Sequence, residues 1–306
     1  MEAAHPKLIE LADAIERLPL VDHHCHSFFA TKLEPHEVEH HLTGAPDTRA
    51  ARTITFDASL GLSVLRTAGP ALGQTPPVTS HAYLKARSQR SAEDLTTLFL
   101  TQAGISDLLV DTGYQPDALF ALDELARLSG ARVHEILRLE TTAERLLTES
   151  SSPEAFLDRW PRALEDRSAR VVGLKSIAAY RCGPALDPVP PSRSEVLFTL
   201  GHELAKPRLR LTDPTVISYL ATSAIEVTRL PLQLHVGISD PDVRLGAGHP
   251  GLLQGFIEFA NELEVPICLL HCYPFHREAA LLAHDYPNVF LDLGLALNFV
   301  GPRASH

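Results

Sequence analysis

Two histidines placed two residues apart follow the first apolar run of the chain. His24 and His26 come just after the run Leu18–Asp22. Because side chains two apart on a β-strand point to the same face, both imidazoles can face one site at the end of that strand. Two imidazoles on a rigid strand end provide half of a metal site. The spacing alone is a weak signal, because the chain has 16 histidines and about one His-x-His match is expected by chance.

Three more side chains with metal or acid–base chemistry end other apolar runs. They are His235, His271 and Lys175, each at the carboxyl end of a run rich in Val, Ile and Leu. Taken singly, such a histidine is more typical of a packed or capping residue, and such a lysine can extend to solvent. Histidines at three strand ends together are hard to explain by packing. We therefore expect them to meet at the carboxyl-end face of a parallel barrel.

The elements that must position these residues alternate along the chain. The apolar runs, expected as buried parallel strands, are Leu18–Asp22, Ile105–Val110, Arg132–Leu139, Val171–Ala179, Leu230–Val236, Val265–Leu270 and Val289–Leu293. The helix-like stretches between them are Pro116–Ser129, Pro153–Asp166, Arg193–Leu204, Pro214–Thr228, Gly251–Leu263 and His276–His284. This order predicts an α/β fold, and the number of strands favours a TIM-like (β/α)₈ barrel. Since no eighth apolar run follows, we expect a barrel truncated before strand 8, as in a fragment of a longer chain.

We expect one domain over residues 1–306. The connection 27–104 is too long for a bare loop, so it is expected to form a helical cap insertion after strand 1, with Ala82–Leu100 as its clearest helix. An opening helix is expected over Leu8–Leu18.

Composition and charge exclude several classes of protein. Hydrophobic residues make up 45% and charged residues 21% of the chain, as in a soluble globular enzyme. The net charge of −11 and the lack of a basic patch argue against nucleic-acid binding. No apolar stretch can span a membrane, and no signal peptide or paired cysteine framework is visible. We therefore expect a cytoplasmic protein acting on a small molecule, and a homodimer is one expectation for a capped barrel.

Four segments together resemble a known family. They are Asp22–His26, Leu174–Arg181, Leu234–Asp240 and Leu270–Phe275, and Asn288–Gly294 fits the same pattern. With these residues the chain resembles the amidohydrolase superfamily, and in particular the amidohydrolase domain that some proteins carry fused to a glutamine-synthetase-like domain. The resemblance covers nearly the whole chain.

The resemblance implies a role for each residue of the site. His24, His26 and His235 would bind a divalent metal, zinc first and manganese or iron as alternatives, with one or two ions. His271 would bind a second metal ion, or would hold the substrate if the site contains only one metal ion. Lys175 would be carboxylated and bridge two metals, or contact the substrate. His271 and Lys175 are therefore the expected catalytic residues.

Three residues are candidates for substrate binding. Tyr180 and Arg181 follow Lys175, and a guanidinium can clamp a carboxylate through two hydrogen bonds. Glu140 ends the third strand in a similar position, next to Arg138. For Arg181 and Glu140 an ordinary surface ion pair explains the residue equally well.

The implied reaction is hydrolysis of a C–N bond, amide or γ-glutamyl-like, by metal-activated water, with a link to nitrogen metabolism by analogy. Metal-dependent decarboxylases and isomerases of the superfamily share the same histidine pattern and form the alternative. The family's strand-eight Asp has no counterpart here, and Asp292 belongs to strand seven and is not given that role. A non-catalytic binding module is therefore a further alternative.

Overall fold

Seven parallel strands form one curved sheet and pair in chain order. The structure is a computed structural model that describes residues 10, 11, 13–15, 17–43, 54–238 and 243–301. The strands are β1 (Leu20–Cys25), β2 (Ile105–Asp111), β3 (Arg132–Arg138), β4 (Val171–Ser176), β5 (Leu232–His235), β6 (Ile267–Leu270) and β7 (Val289–Leu291). The predictions of an α/β fold and of a TIM-like barrel are confirmed. The described residues hold no eighth strand, as predicted.

Helices lie between the strands and after the last one, with four of them together in the connection between β1 and β2. They are α1 (Pro35–His41), α2 (Ser59–Ala71), α3 (Ser80–Ser88), α4 (Ala92–Ala103), α5 (Leu122–Ser129), α6 (Leu139–Thr148), α7 (Pro153–Ser168), α8 (Arg193–Leu204), α9 (Pro214–Thr228), α10 (Gln254–Glu262), α11 (His276–Asp285) and α12 (Gly294–Val300). The main core lies between these helices and the outer face of β3–β7, where Leu174, Leu234 and Leu269 are buried.

The inner face of the sheet carries polar residues at the carboxyl ends of the strands. Across β3, β4 and β5, Arg138 pairs with Lys175 and Lys175 pairs with Gln233. Partners in adjacent parallel strands point to the same face, so these three side chains share the barrel interior. Leu174, one residue earlier, points outward into the core. One strand end thus supplies both a core residue and a site residue.

The connection between β1 and β2 contains helices α1–α4, which confirms the helical cap after strand 1. The prediction of a single helix over Ala82–Leu100 is wrong, because α3 ends at Ser88 and a separate helix, α4, begins at Ala92. Ser91 caps α4: its hydroxyl accepts from the Asp94 backbone N–H, and the Asp94 carboxylate accepts from the Ser91 N–H. This capping box starts a new helix inside a stretch whose apolar spacing looks continuous.

Other element boundaries also differ from the prediction. The helix predicted over Pro116–Ser129 begins at Leu122. Leu139, expected to close the third strand, is instead the first residue of α6. Residues 10, 11 and 13–15 of the predicted opening helix are helical, whereas residues 8, 9, 12 and 16 lie outside the described residues. No described helix has the length and apolar character needed to cross a membrane.

Candidate functional site

Four histidines from three strand ends meet inside the mouth of the barrel. The ring centroids of His24 and His26 are 5.6 Å apart, and those of His24 and His271 are 5.5 Å apart. His235 and His271 approach to 4.7 Å. The chain therefore brings together all the histidines that the sequence pointed to.

Hydrogen bonds fix which ring nitrogen of each histidine carries the proton. Nδ1 of His24 donates to the side-chain oxygen of Gln233 at 2.9 Å, and Nδ1 of His26 donates to the carbonyl of Asp111 at 3.3 Å. His235 bonds to the backbone of Ile238, and its Nε2 has no partner, so this bond also uses Nδ1. All three rings thus keep the Nε2 lone pair, the arrangement that second-shell contacts impose on metal-binding histidines.

Burial keeps these imidazoles neutral. Desolvation, followed by the charge of Lys175, lowers the pKa of His271 to about 4. Burial is also the first cause that lowers the pKa of His24, His26 and His235. Because a metal binds the neutral form of histidine, the cluster is in the ligand state at neutral pH.

Lys175 lies beside the histidines with only 2% of its surface exposed. Its Nζ is 3.4 Å from Nε2 of His24. Burial lowers the pKa of the Lys175 ammonium to about 7, against the attraction of Asp111. Both the charged and the neutral amine are thus populated near neutral pH, and the neutral form is the one that can react with carbon dioxide.

The backbone of His271 is in the left-handed region, with φ at 72°, where a residue with a side chain is strained. Asp292, just after β7, holds this backbone: its Oδ1 accepts the His271 N–H at 2.7 Å. Its Oδ2 lies 3.1 Å from Nε2 of His23, a residue of β1. Burial raises the pKa of Asp292, but the hydrogen bonds from His23 and His271 outweigh it and leave the pKa below its usual value. Asp292 therefore ties together the first, sixth and seventh strand ends.

The donor set fits a divalent metal ion. Nε2 of His235 and Nδ1 of His271 are buried and lack a hydrogen-bond partner among the described residues. Buried unpaired nitrogens cost free energy, and a metal ion would give them a partner. As the side chains stand, no three His, Cys, Asp or Glu residues in the described ranges are arranged to share an ion. Metal binding would therefore require the rings to turn or move toward one another.

The three predicted substrate-binding residues fall in different places. The ring of Tyr180 lies 4.7 Å from that of His235, centroid to centroid, and so borders the site. Arg181 instead pairs with Glu144 at 2.6 Å and donates to the carbonyl of Leu211. Glu140 is 1% exposed and accepts hydrogen bonds from Ser176 and from the backbone of Ile177. The substrate role of Arg181 and Glu140 stays a prediction that none of these contacts supports.

Three residues of the site were missed by the sequence analysis. Gln233 bonds His24, Asp111 bonds His26 through its carbonyl, and the ring of Tyr114 lies against that of His26, with 4.7 Å between centroids and 37° between planes. For Gln233 a signal was present: it lies two residues before His235 on one strand, and therefore on the same inner face. Tyr114 follows its strand by three residues in a loop, and nothing in the pattern identifies it.

Comparison with known proteins finds relatives but no family match. No protein-family model matches the chain. Over 327 aligned positions the chain is 29% identical to protein fluG of Emericella nidulans. The alignment covers 94% of this chain and 37% of fluG, so the chain spans a little over a third of that protein's length.

Solved structures are similar to the chain over nearly all of its length. One is the crystal structure of a protein from Lactobacillus casei ATCC 334 assigned as a metal-dependent hydrolase. It shares 28% sequence identity and a TM-score of 0.82, over 96% of this chain and 77% of that one. Another is a uronate isomerase from Bacillus halodurans C-125, with 14% identity and a TM-score of 0.57 over 95% and 76% of the two chains. The second similarity shows the fold alone.

Proposed function

We propose that this chain is a metal-dependent hydrolase of the amidohydrolase type, acting on a C–N bond of a small molecule. The observation that carries the proposal is the meeting of four neutral histidines and one buried lysine at the ends of β1, β4, β5 and β6. The 28% identity to a protein assigned as a metal-dependent hydrolase supports the same class of enzyme. The choice of an amide or γ-glutamyl-like bond rests on the family resemblance of the sequence.

The metal ligands in this proposal are His24, His26 and His235, each through the Nε2 lone pair that its Nδ1 hydrogen bond leaves available. When bound, a divalent ion polarises the substrate carbonyl and activates water at neutral pH. Zinc is the expected ion, with manganese or iron as alternatives. His271 either joins a second ion or orients the substrate, and its Nδ1 is available for both roles.

Lys175 has two candidate roles. As a carboxylated lysine it would bridge two ions; as an amine it would donate a hydrogen bond to the substrate. Its position 3.4 Å from His24 places Nζ next to the proposed ligands. A cytoplasmic location, a homodimer and a part in nitrogen metabolism remain proposals.

The first test is metal content by elemental analysis of the purified wild-type chain and a His24→Ala/His26→Ala variant. We expect one or two equivalents of metal in the wild type and a loss of metal in the variant. A His202→Ala/His284→Ala variant is the matched control, because both of these histidines are exposed on outer helices. It should retain the metal.

The second test is release of amine or ammonia from γ-glutamyl amides and N-acyl amides, before and after removal of the metal by a chelator. Hydrolysis that stops with the chelator and returns with zinc would support the proposal. A folded wild type that binds no metal would contradict it and favour a non-catalytic module. A metal-loaded chain inactive on every amide, but active in decarboxylation or isomerisation, would contradict the C–N bond assignment alone.

A further inference from the structure

Arg138 lies on the inner face of the sheet with Lys175 and Gln233, at the mouth of the barrel. It is the last residue of β3, and its pairing with Lys175 directs both side chains to the inner face. Arg138 is 9% exposed. Its charge lies near enough to act electrostatically on both His26 and Lys175. A permanent positive charge is therefore placed beside the proposed metal ligands.

One edge of the Arg138 guanidinium is fixed by Asp111, the last residue of β2. Nε of Arg138 donates to both carboxylate oxygens at 3.1 Å, and Nη2 donates to one of them at 2.6 Å. The Asp111 side chain is fully buried, and it also accepts the backbone N–H of Gly113 at 2.9 Å. A Cβ at Gly113 would lie 2.5 Å from Cβ of Arg138. The arginine is therefore packed into one position.

The other edge of the guanidinium is available. Nη1 has no hydrogen-bond partner among the described residues, and the Arg138 side chain keeps 10% of its surface exposed. Nη2 carries a second hydrogen beyond the one directed at Asp111. The Nη1–Nη2 edge can therefore donate two parallel hydrogen bonds to a planar oxyanion.

Arg181 shows the contrasting case of an arginine whose two terminal nitrogens both have partners in the protein. There Nη1 donates both to Glu144 and to the carbonyl of Leu211, and Nη2 donates to Glu144. Both terminal nitrogens of Arg181 are thus used by the protein. In Arg138 the protein uses one edge, and the Nη1–Nη2 edge has no second partner among the described residues.

We propose that the Nη1–Nη2 edge of Arg138 binds a carboxylate of the substrate, so that the substrate class is a small amide with a carboxylate apart from the bond that is cleaved. This inference rests on the proposed function, because it assigns the substrate of that same site. Arg138 and Asp111 together carry no net charge, so the edge would hold the carboxylate through its two directed hydrogen bonds.

The test compares two probes that differ only in the carboxylate. Glutaric acid monoamide has one amide and one carboxylate, and glutaramide has two amides. Binding of each to the metal-containing chain is measured by isothermal titration calorimetry, and the metal content of every sample is determined. Inorganic phosphate serves as a third probe, because an arginine edge also binds tetrahedral oxyanions. The variant is Arg138→Lys, which keeps the charge and loses the two-bond edge.

Arg132→Lys is the matched control. Arg132 lies on the same face of β3 at the opposite end of the barrel, and it pairs with Asp107 of β2 as Arg138 pairs with Asp111. Should Arg138→Lys fail to fold, the double variant Asp111→Leu/Arg138→Met removes the buried pair without leaving an unpaired charge.

We expect the wild type and Arg132→Lys to bind the monoamide about 10- to 100-fold more tightly than glutaramide. In Arg138→Lys and in the double variant this preference should fall to near unity while the metal is retained. Equal binding of both probes by the wild type, or an unchanged preference in Arg138→Lys, would overturn the inference. Binding of phosphate in place of the monoamide would overturn the carboxylate assignment. If the chain hydrolyses no amide but still prefers the monoamide, the proposed function fails and the inference about Arg138 stands. If it hydrolyses amides without this preference, the inference about Arg138 fails and the proposed function stands.

Discussion

Gln233 is the residue whose replacement tests most directly how the site is built. It is 4% exposed on the inner face of β5. Its side-chain oxygen accepts from Nδ1 of His24 at 2.9 Å, and its Nε2 donates to the carbonyl of His23 at 2.7 Å. We expect Gln233→Leu to weaken zinc binding, because the His24 ring loses the contact that fixes its tautomer and direction.

The magnitude follows from the two contacts. Removing an outer-shell partner of a metal-binding histidine typically costs 10- to 100-fold in metal affinity, or about 1.4 to 2.8 kcal/mol. The unpaired His23 carbonyl costs about 1 to 3 kcal/mol of folding stability. That second cost is present with and without metal, so it lowers the free energy of unfolding but cancels from the zinc Kd.

The assay is a competition titration of zinc against a chromophoric chelator, with urea unfolding of the metal-free protein measured in parallel. Gln233→Glu keeps an acceptor for His24 and should retain most of the affinity. Gln254→Leu is the control, because Gln254 is exposed and, among the described residues, its side chain bonds Glu258 and Tyr286, both away from the histidines. A zinc Kd for Gln233→Leu equal to that of the wild type would refute the idea that Gln233 orients a ligand.

Three further predictions concern stability and backbone strain. Burial raises the pKa of the Glu140 carboxyl above its ordinary 4.5. Because the folded state resists ionisation of this carboxyl, the protein loses stability as pH rises toward the folded pKa. In urea unfolding, Glu140→Gln should therefore have a higher midpoint than the wild type at pH 8 but not at pH 4. Trp160 is fully buried and donates to Ser223 at 3.0 Å, so Trp160→Ala should cost about 3 to 5 kcal/mol in guanidinium unfolding. Gly237 has φ at 69°, and a Cβ there would lie 2.5 Å from the carbonyl oxygen of Tyr273. Gly237→Ala should therefore lower both the melting temperature and the zinc content. An unchanged zinc content would contradict a link between this turn and His235.

The strands and the metal-binding candidates could be predicted because both depend on local pattern. Short apolar runs identify buried parallel strands, and a histidine directly after such a run falls at the mouth of the barrel. This pattern predicts His235 and His271 as site residues from the sequence alone. The ends of strands and helices could be predicted less accurately where one element follows the next without a linker. Leu139, for example, is apolar enough to extend β3 but begins α6.

The contacts that tune the site could not be predicted, because they join residues far apart in sequence. Gln233 reaches His24 across 209 positions, and Asp111 reaches His26 across 85. Glu140 and Arg181 looked like substrate ligands because they are charged and follow strand ends. In the structure Glu140 accepts from Ser176 and Arg181 donates to Glu144, and these contacts leave the predicted substrate role untested. Only the packed structure distinguishes such a residue from Arg138, which keeps one edge available.

The geometry of the site depends on the two outermost strands of the sheet. His24 and His26 come from β1, whereas Asp292, which holds the strained backbone of His271, follows β7. Asp292 also bonds His23 of β1, so one carboxylate joins both outer strands to the histidine cluster. Below this contact the outer strands are apolar and exposed: Val21 of β1 is 56% and Phe290 of β7 is 55% exposed. The Asp292 carboxylate therefore couples the spacing of β1 and β7 to the position of the His271 backbone.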